Sequence, residues 1–122
     1  GDACNLVSEM HNYDLVFAGN LIDRLYQPQL FLNSITQRIR VGGWLVITSP
    51  YTWLEDYTPP SYWLGGYVDN DGIPVDTFTG LSRALRPHFK LGCRENIPFV
   101  IRETARKHQH TIAELTAWHR VE

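Results

Sequence analysis

The residues best suited to chemistry cluster in "TSPYTWLEDYTPPSYWLGGY", Thr48 to Tyr67. This stretch holds Tyr51, Trp53, Tyr57, Tyr62, Trp63 and Tyr67, three prolines, and only two charges, Glu55 and Asp56. Its proline and glycine content excludes a helix. Its aromatic surface is too large for an idle linker. Tyr51, Trp53 and Glu55 follow the apolar run Trp44 to Ser49, where they can line a small-molecule site. Equally, the aromatics can pack as a satellite core under a long loop. A second candidate is Gly19-Asn20, at the end of the apolar run Leu15 to Ala18. Ligands of open α/β sheets bind outside the carboxyl ends of strands. Asn20 can orient a polar substrate there, or satisfy local backbone. Asp23 and Arg24 read as a solvated surface pair.

Arg102, Glu103, Arg106, His108 and His110 crowd a third region. Arg102 or Arg106 can clamp a carboxylate through two parallel hydrogen bonds. Cross-strand charge pairing is the plainer use. His108 and His110 would share a face of a strand, so two metal ligands are geometrically possible. No third or fourth ligand lies nearby in sequence, and no metal is assigned. Asp69, Asn70 and Asp71 lack the remaining spacing of a calcium loop and read as a turn with Gly72.

The elements that must position these residues follow from periodicity. "YDLVFAGN" reads as a strand buried on both faces, hence part of a parallel sheet. In "QPQLFLNSITQRIRVGG", Pro28 suits a first helical turn, and Phe31, Ile35 and Ile39 form one stripe with Leu32 beside it. Gly42-Gly43 are expected to end that helix. "WLVITS" is the second buried strand. After the aromatic stretch, "TFTGLSRALRPHF" is a short amphipathic helix on Leu81, Leu85 and Phe89, with Thr77 or Thr79 as its cap. "KLGCRENIPFVIRETAR", with a bend expected at Pro98, and "HTIAELTAWHR" form an antiparallel hairpin. In the latter, Ala113, Leu115 and Ala117 face one way, and Ile112, Glu114, Thr116 and Trp118 the other. The order is β-α-β, long loop, α, β-β hairpin: an α/β fold.

Composition bounds the rest. A chain of 122 residues, 43% hydrophobic and 20% charged, suits one soluble globular domain. A formal net charge of -2 argues against a nucleic-acid partner. No apolar run reaches membrane-spanning length, and the first ten residues do not resemble a signal peptide. Two cysteines, Cys4 and Cys93, are too few for a disulfide framework. They suggest a reducing cytoplasm and read as small buried hydrophobes.

The order of elements resembles the C-terminal half of the class I S-adenosylmethionine-dependent methyltransferases. "GDACNL" is similar to the segment after that family's third strand, "YDLVFAGNLIDRL" to the fourth strand, "VGGWLVITSP" to the fifth, and the hairpin to strands six and seven. "SPYTWLE" and "PFVIRETARK" narrow the resemblance to the C-terminal methyltransferase domain of the ovothiol-synthesis enzymes. Those are 5-histidylcysteine sulfoxide synthases that also carry a 4-mercaptohistidine N1-methyltransferase.

The resemblance implies a Rossmann-like sheet of two parallel strands plus an antiparallel terminal hairpin, with flanking helices. Residues 1–122 would be a single partial domain lacking the first three strands. It implies S-adenosylmethionine as cofactor, with Asp2 on the adenine, Ala3 beside it, and Gly19 and Asn20 lining the pocket. It implies a thiohistidine substrate walled by Tyr51 and Trp53. Glu55 would take its amino group or imidazole proton, and Arg102 its carboxylate. Catalytic roles fall to Glu55 and Asn20. The family's glycine-rich turn and ribose-binding acidic residue are absent from the sequence, so weak or no cofactor binding is expected of this chain alone. The strand Leu15–Ala18, without its family neighbour, would be an apolar edge prone to self-association. A different methyl acceptor, or a non-catalytic assembly module, are the competing readings.

Overall fold

A computed structural model of the chain describes residues 12–102 and 104–122. The main sheet has four strands in the order β1-β2-β6-β5. β1 (Tyr13–Gly19) and β2 (Ile39–Ser49) are parallel, joined through a 3-10 turn (Ile22–Arg24) and helix α1 (Pro28–Arg38). β6 (His108–Arg120) inserts antiparallel between β2 and β5 (Phe89–Arg102). A small hairpin, β3 (Tyr67–Val68) with β4 (Pro74–Val75), leads into helix α2 (Thr77–Leu85).

Period-two burial organises the sheet. Leu45 and Ile47 of β2 point to one face, in register with Val16 and Ala18 of β1 and with Trp118 and Thr116 of β6. Phe31, Leu32 and Ile35 of α1 and Leu81 and Leu85 of α2 close over that face and complete the core. Burying each of these large side chains contributes roughly 1.5–3 kcal/mol. Both described helices contribute to this one core. On the other face Leu15 and Phe17 stay 59% and 63% exposed. The expectation that β1 is buried on both faces is therefore corrected. Among the described residues it is an edge strand, covered on one face only, because apolar character records a preference for burial and not the presence of a covering layer.

Four local expectations shift. α1 ends at Arg38, and Ile39 already begins β2, its N–H still donating to the Ile35 carbonyl. Gly42, at φ +90°, lies inside the strand where the β1–β2 register jumps between Tyr13–Ile39 and Leu15–Trp44. The cap of α2 is Asp76, whose carboxylate accepts from the Thr79 N–H at 2.7 Å, and not either threonine. Cys93 is exposed instead of buried, next to the bulge at Gly92. Pro98 pairs in register with Ile112, as an outer strand permits. Among the described residues, no helix is long and apolar enough to cross a membrane.

Candidate functional site

The carboxyl ends of β1 and β2 lie side by side, with Gly19 paired to Thr48. The Asn20 N–H donates to the Thr48 carbonyl at 2.7 Å, which ties the two strand ends together. Asn20 has φ +51° and Tyr51 φ +57°, so both strands leave the sheet through a left-handed residue. For Asn this conformation costs little; for Tyr it is an uncommon, strained state that needs outside support. The exposed Asn20 side chain has no hydrogen-bond partner among the described residues.

Hydrogen bonds from its backbone and its side chain support Tyr51 in this conformation. Its N–H donates to the buried Ser49 Oγ at 3.0 Å. Its hydroxyl donates to Glu114 Oε1 at 2.7 Å, and Arg94 Nε donates to Glu114 Oε2 at 2.7 Å. The Arg94 guanidinium lies 3.7 Å from the centre of the Phe78 ring, and Phe78 stacks on Trp118. Burial first, then the hydrogen bond to the Glu114 carboxylate, push the Tyr51 phenol far above the ordinary tyrosine range. Tyr51 is thus a fixed hydrogen-bond donor, unsuited to act as a base. The same carboxylate raises the Arg94 guanidinium, which remains a permanent cation.

The loop is also tied to the turn after β1. Asp23, 1% exposed, accepts from the Thr52 N–H at 2.9 Å, while Arg24 Nη1 donates to the Thr52 carbonyl at 2.9 Å. Arg24 lies over the Tyr57 ring at 4.9 Å. The Thr58 hydroxyl donates to the Leu25 carbonyl. The Asp23–Arg24 pair is therefore a buried anchor for the loop at its acidic end, and not the solvated surface pair that adjacency suggests.

Of the residues singled out in the sequence, Gly19 and Asn20 lie at the end of β1, held to Thr48, and Tyr51 lies just past the end of β2, with its hydroxyl on β6. Trp53 turns toward α2: its Nε1 donates to Thr77 Oγ1 at 2.9 Å and its ring stacks on Trp63. Glu55 is exposed in a turn and has no partner among the described residues. Arg102 is exposed on the β5–β6 ribbon, six residue pairs beyond Asn96–Glu114 in register, or about 20 Å along the strand. Register does not bring it to Tyr51. Asp2 and Ala3 lie outside the described residues. Among the described residues, no three His, Cys, Asp or Glu side chains are grouped to hold a metal ion.

Sequence reading missed Glu114, Arg94 and Asp23 as members of this network. One signal was present. Alternation places Glu114 on the same strand face as Thr116 and Trp118, and a carboxylate on a buried face demands a donor.

The β1-β2-β6-β5 order, with an antiparallel strand inserted between β2 and β5, recurs in solved structures. An S-adenosylmethionine-dependent methyltransferase from Methanosarcina mazei superposes with a TM-score of 0.63 at 13% identity, over 99% of this chain and 65% of that one. A methyltransferase-like protein from Bacillus halodurans C-125 gives 0.65 at 10% identity, over 100% and 70%. The W203A mutant of the 16S rRNA (adenine(1408)-N(1))-methyltransferase from Catenulisporales acidiphilia gives 0.59 at 15%, over 98% and 56%. The chain shares its fold with these three methyltransferase structures. It spans between 56% and 70% of their length. No family model matches it, and no curated protein does.

Proposed function

We propose that the chain is part of an S-adenosylmethionine-dependent N-methyltransferase whose acceptor is the imidazole of a thiol-bearing histidine. The observation that carries the reading is the pair of left-handed residues that follow two neighbouring parallel strands, Asn20 after β1 and Tyr51 after β2, in a fold shared with methyltransferases. The choice of acceptor is supported by the likeness of "SPYTWLE" and "PFVIRETARK" to the ovothiol-synthesis enzymes.

Gly19 and Asn20 fit one edge of a cofactor pocket: both are exposed, and the Asn20 amide is unpartnered among the described residues. Asp2 and Ala3 would meet the adenine. When bound, S-adenosylmethionine supplies an electrophilic methyl group. The chain's own residues then hold the acceptor ring in line, exclude water and receive a proton. Asn20 orients the acceptor. The faces of Tyr51 and Trp53, both half-buried, wall it. Glu55, exposed and without a partner among the described residues, takes the amino group or the proton of the second imidazole nitrogen. Arg102 takes the substrate carboxylate, which requires the hairpin ribbon to bend toward the strand ends.

The test is a methyl-transfer assay on the full-length parent protein with 5-thiohistidine, and histidine as control. Faster transfer to the thiohistidine is expected. Glu55→Gln should lower kcat by about 100-fold if Glu55 takes the proton, and raise KM instead if it holds the amino group. Transfer to other small acceptors but not to thiohistidine would remove the substrate and leave the methyltransferase. No transfer to any acceptor would remove both.

A second reading has its own observation. Among the described residues β1 pairs on one side only, and its Leu15 and Phe17 are largely exposed. Such an edge invites a further strand, and here a second copy of the chain is the natural occupant. Sedimentation should show concentration-dependent dimers that Leu15→Lys dissolves. A monomer at every concentration overturns this reading.

A further inference from the structure

Away from the strand ends, a groove of about 650 Å³ runs between the start of α1, the second half of the aromatic loop and the outer face of α2. Its walls include Tyr62, Trp63 and Tyr67 from the loop, Gln27 and Leu30 from the first helix, and Arg83 from the second. Tyr62, Tyr67 and Leu30 are 41%, 40% and 47% exposed, so flat apolar surface is left facing solvent on both sides. Among the described residues, Arg83 is the only charged one in the lining. It has no ion-pair partner among the described residues.

The groove is held open by structure and not by chance. Loop residues Leu64 and Gly65 lie directly on the backbone of α2. A Cβ on Gly80 would sit 1.7 Å from the Leu64 carbonyl oxygen, and one on Gly65 would sit 2.1 Å from the Thr77 nitrogen. Two missing side chains let the loop backbone seat against the helix. The Trp63 indole N–H is spent on the Thr58 carbonyl at 2.8 Å, and Tyr26 braces Tyr62 edge-on at 5.8 Å. The aromatic wall is thereby fixed before any ligand arrives, which lowers the ordering cost of binding.

We propose that this groove is a binding site for a flat aromatic carboxylate. The ring lies against Trp63 and Tyr67, and the carboxylate meets the Arg83 guanidinium through charge-assisted hydrogen bonds. An aromatic cation is disfavoured, because the only charge in the lining repels it. The site stands on this geometry alone and does not depend on the methyltransferase reading.

The test uses indole-3-acetate as probe and tryptamine as the matched cation, followed by amide and indole NMR shifts. Indole-3-acetate should give saturable shifts at the Trp63 indole N–H and at the Gly80 and Arg83 amides. Tryptamine should bind at least about tenfold more weakly. Arg83→Gln, on an exposed helix face, should weaken the acid by a similar factor. Leu30→Glu, which places a negative charge in the groove wall without touching Arg83, should do the same. The proposal is overturned by equal binding of acid and amine, by no saturable shift, by shifts that miss these three residues, or by full binding in both variants.

Discussion

The Tyr51 hydroxyl donates to Glu114 Oε1 at 2.7 Å across 63 residues of sequence. This bond joins the loop after β2 to the middle of β6, and the other carboxylate oxygen continues the chain to Arg94. Glu114 is largely shielded, with 12% of its side chain exposed, so both donors satisfy an anion that would be costly to leave alone. The link also explains how a bulky residue tolerates φ +57°. A left-handed non-glycine residue costs of order 1–3 kcal/mol, and a hydrogen bond to a charged group contributes roughly 1.5–3 kcal/mol. The two are of the same size, so the bond can hold the turn.

The phenol of Tyr51 should therefore resist ionisation in the folded protein. Its folded value is raised, so its contribution to stability is full below the ordinary tyrosine value of 10.0 and is lost as pH rises toward the folded value. A spectrophotometric titration of the protein against its Tyr51→Phe variant should find the Tyr51 phenol silent until the protein unfolds in alkali. Tyr51→Phe should remove that silent group and cost about 1–2 kcal/mol in urea unfolding near neutral pH. A Tyr51 phenol that ionises while the protein is still folded would contradict the assignment.

The parts of this arrangement legible in sequence were those set by local periodicity. The β-α-β order, the antiparallel hairpin and the side of β6 that carries Glu114 all follow from spacing of two or of three to four residues. Gly19-Asn20 and Tyr51 were found because strand ends are readable. What was not legible depends on partners distant in sequence. Asp23 looks like half of a surface pair until the Thr52 N–H, 29 residues on, is seen to need it. Nothing near Trp53 in sequence announces that its indole N–H meets Thr77 and its ring stacks on Trp63. Leu15 and Phe17 look buried, because a run of apolar residues carries no record of which layers surround it.

Asp76 offers a test at the acidic end of the pH scale. Hydrogen bonds from Thr79 hold its carboxylate below the ordinary value of 3.8, and nearby Arg94 adds a smaller pull in the same direction. A lowered value gives stability that is present above the unfolded value and lost as pH falls through the folded one. Asp76→Ala should cost about 1 kcal/mol at neutral pH, the ordinary worth of a helix cap. The difference between the two proteins should shrink below about pH 4, where the wild-type carboxylate also becomes protonated. A constant difference across that range, measured by urea midpoints, would assign the effect to packing instead.

Asp23 should matter through one hydrogen bond more than through its charge. Asp23→Ala leaves the Thr52 N–H without its acceptor in a part-buried place and should destabilise by about 1 kcal/mol. Asp23→Asn keeps an oxygen to accept that hydrogen and should recover at least half of the loss. If Asn behaves like Ala, the Arg24 pairing at 3.4 Å is the larger part, and the ranking of the two interactions reverses.

Gly80 provides a test by sign. In an ordinary helix interior, replacing Gly by Ala stabilises by roughly 0.8–1 kcal/mol, because the backbone has less freedom to lose. Here the added Cβ would collide with the Leu64 carbonyl, which is backbone and cannot swing aside. The loop would have to lift from α2, and overpacking of this kind costs typically 1–3 kcal/mol. Gly80→Ala should therefore lower the thermal midpoint by at least about 4 °C, with a change in Trp63 emission as the wall moves. A raised midpoint would show that Leu64 does not sit on the helix, and the preformed aromatic wall would fall with it.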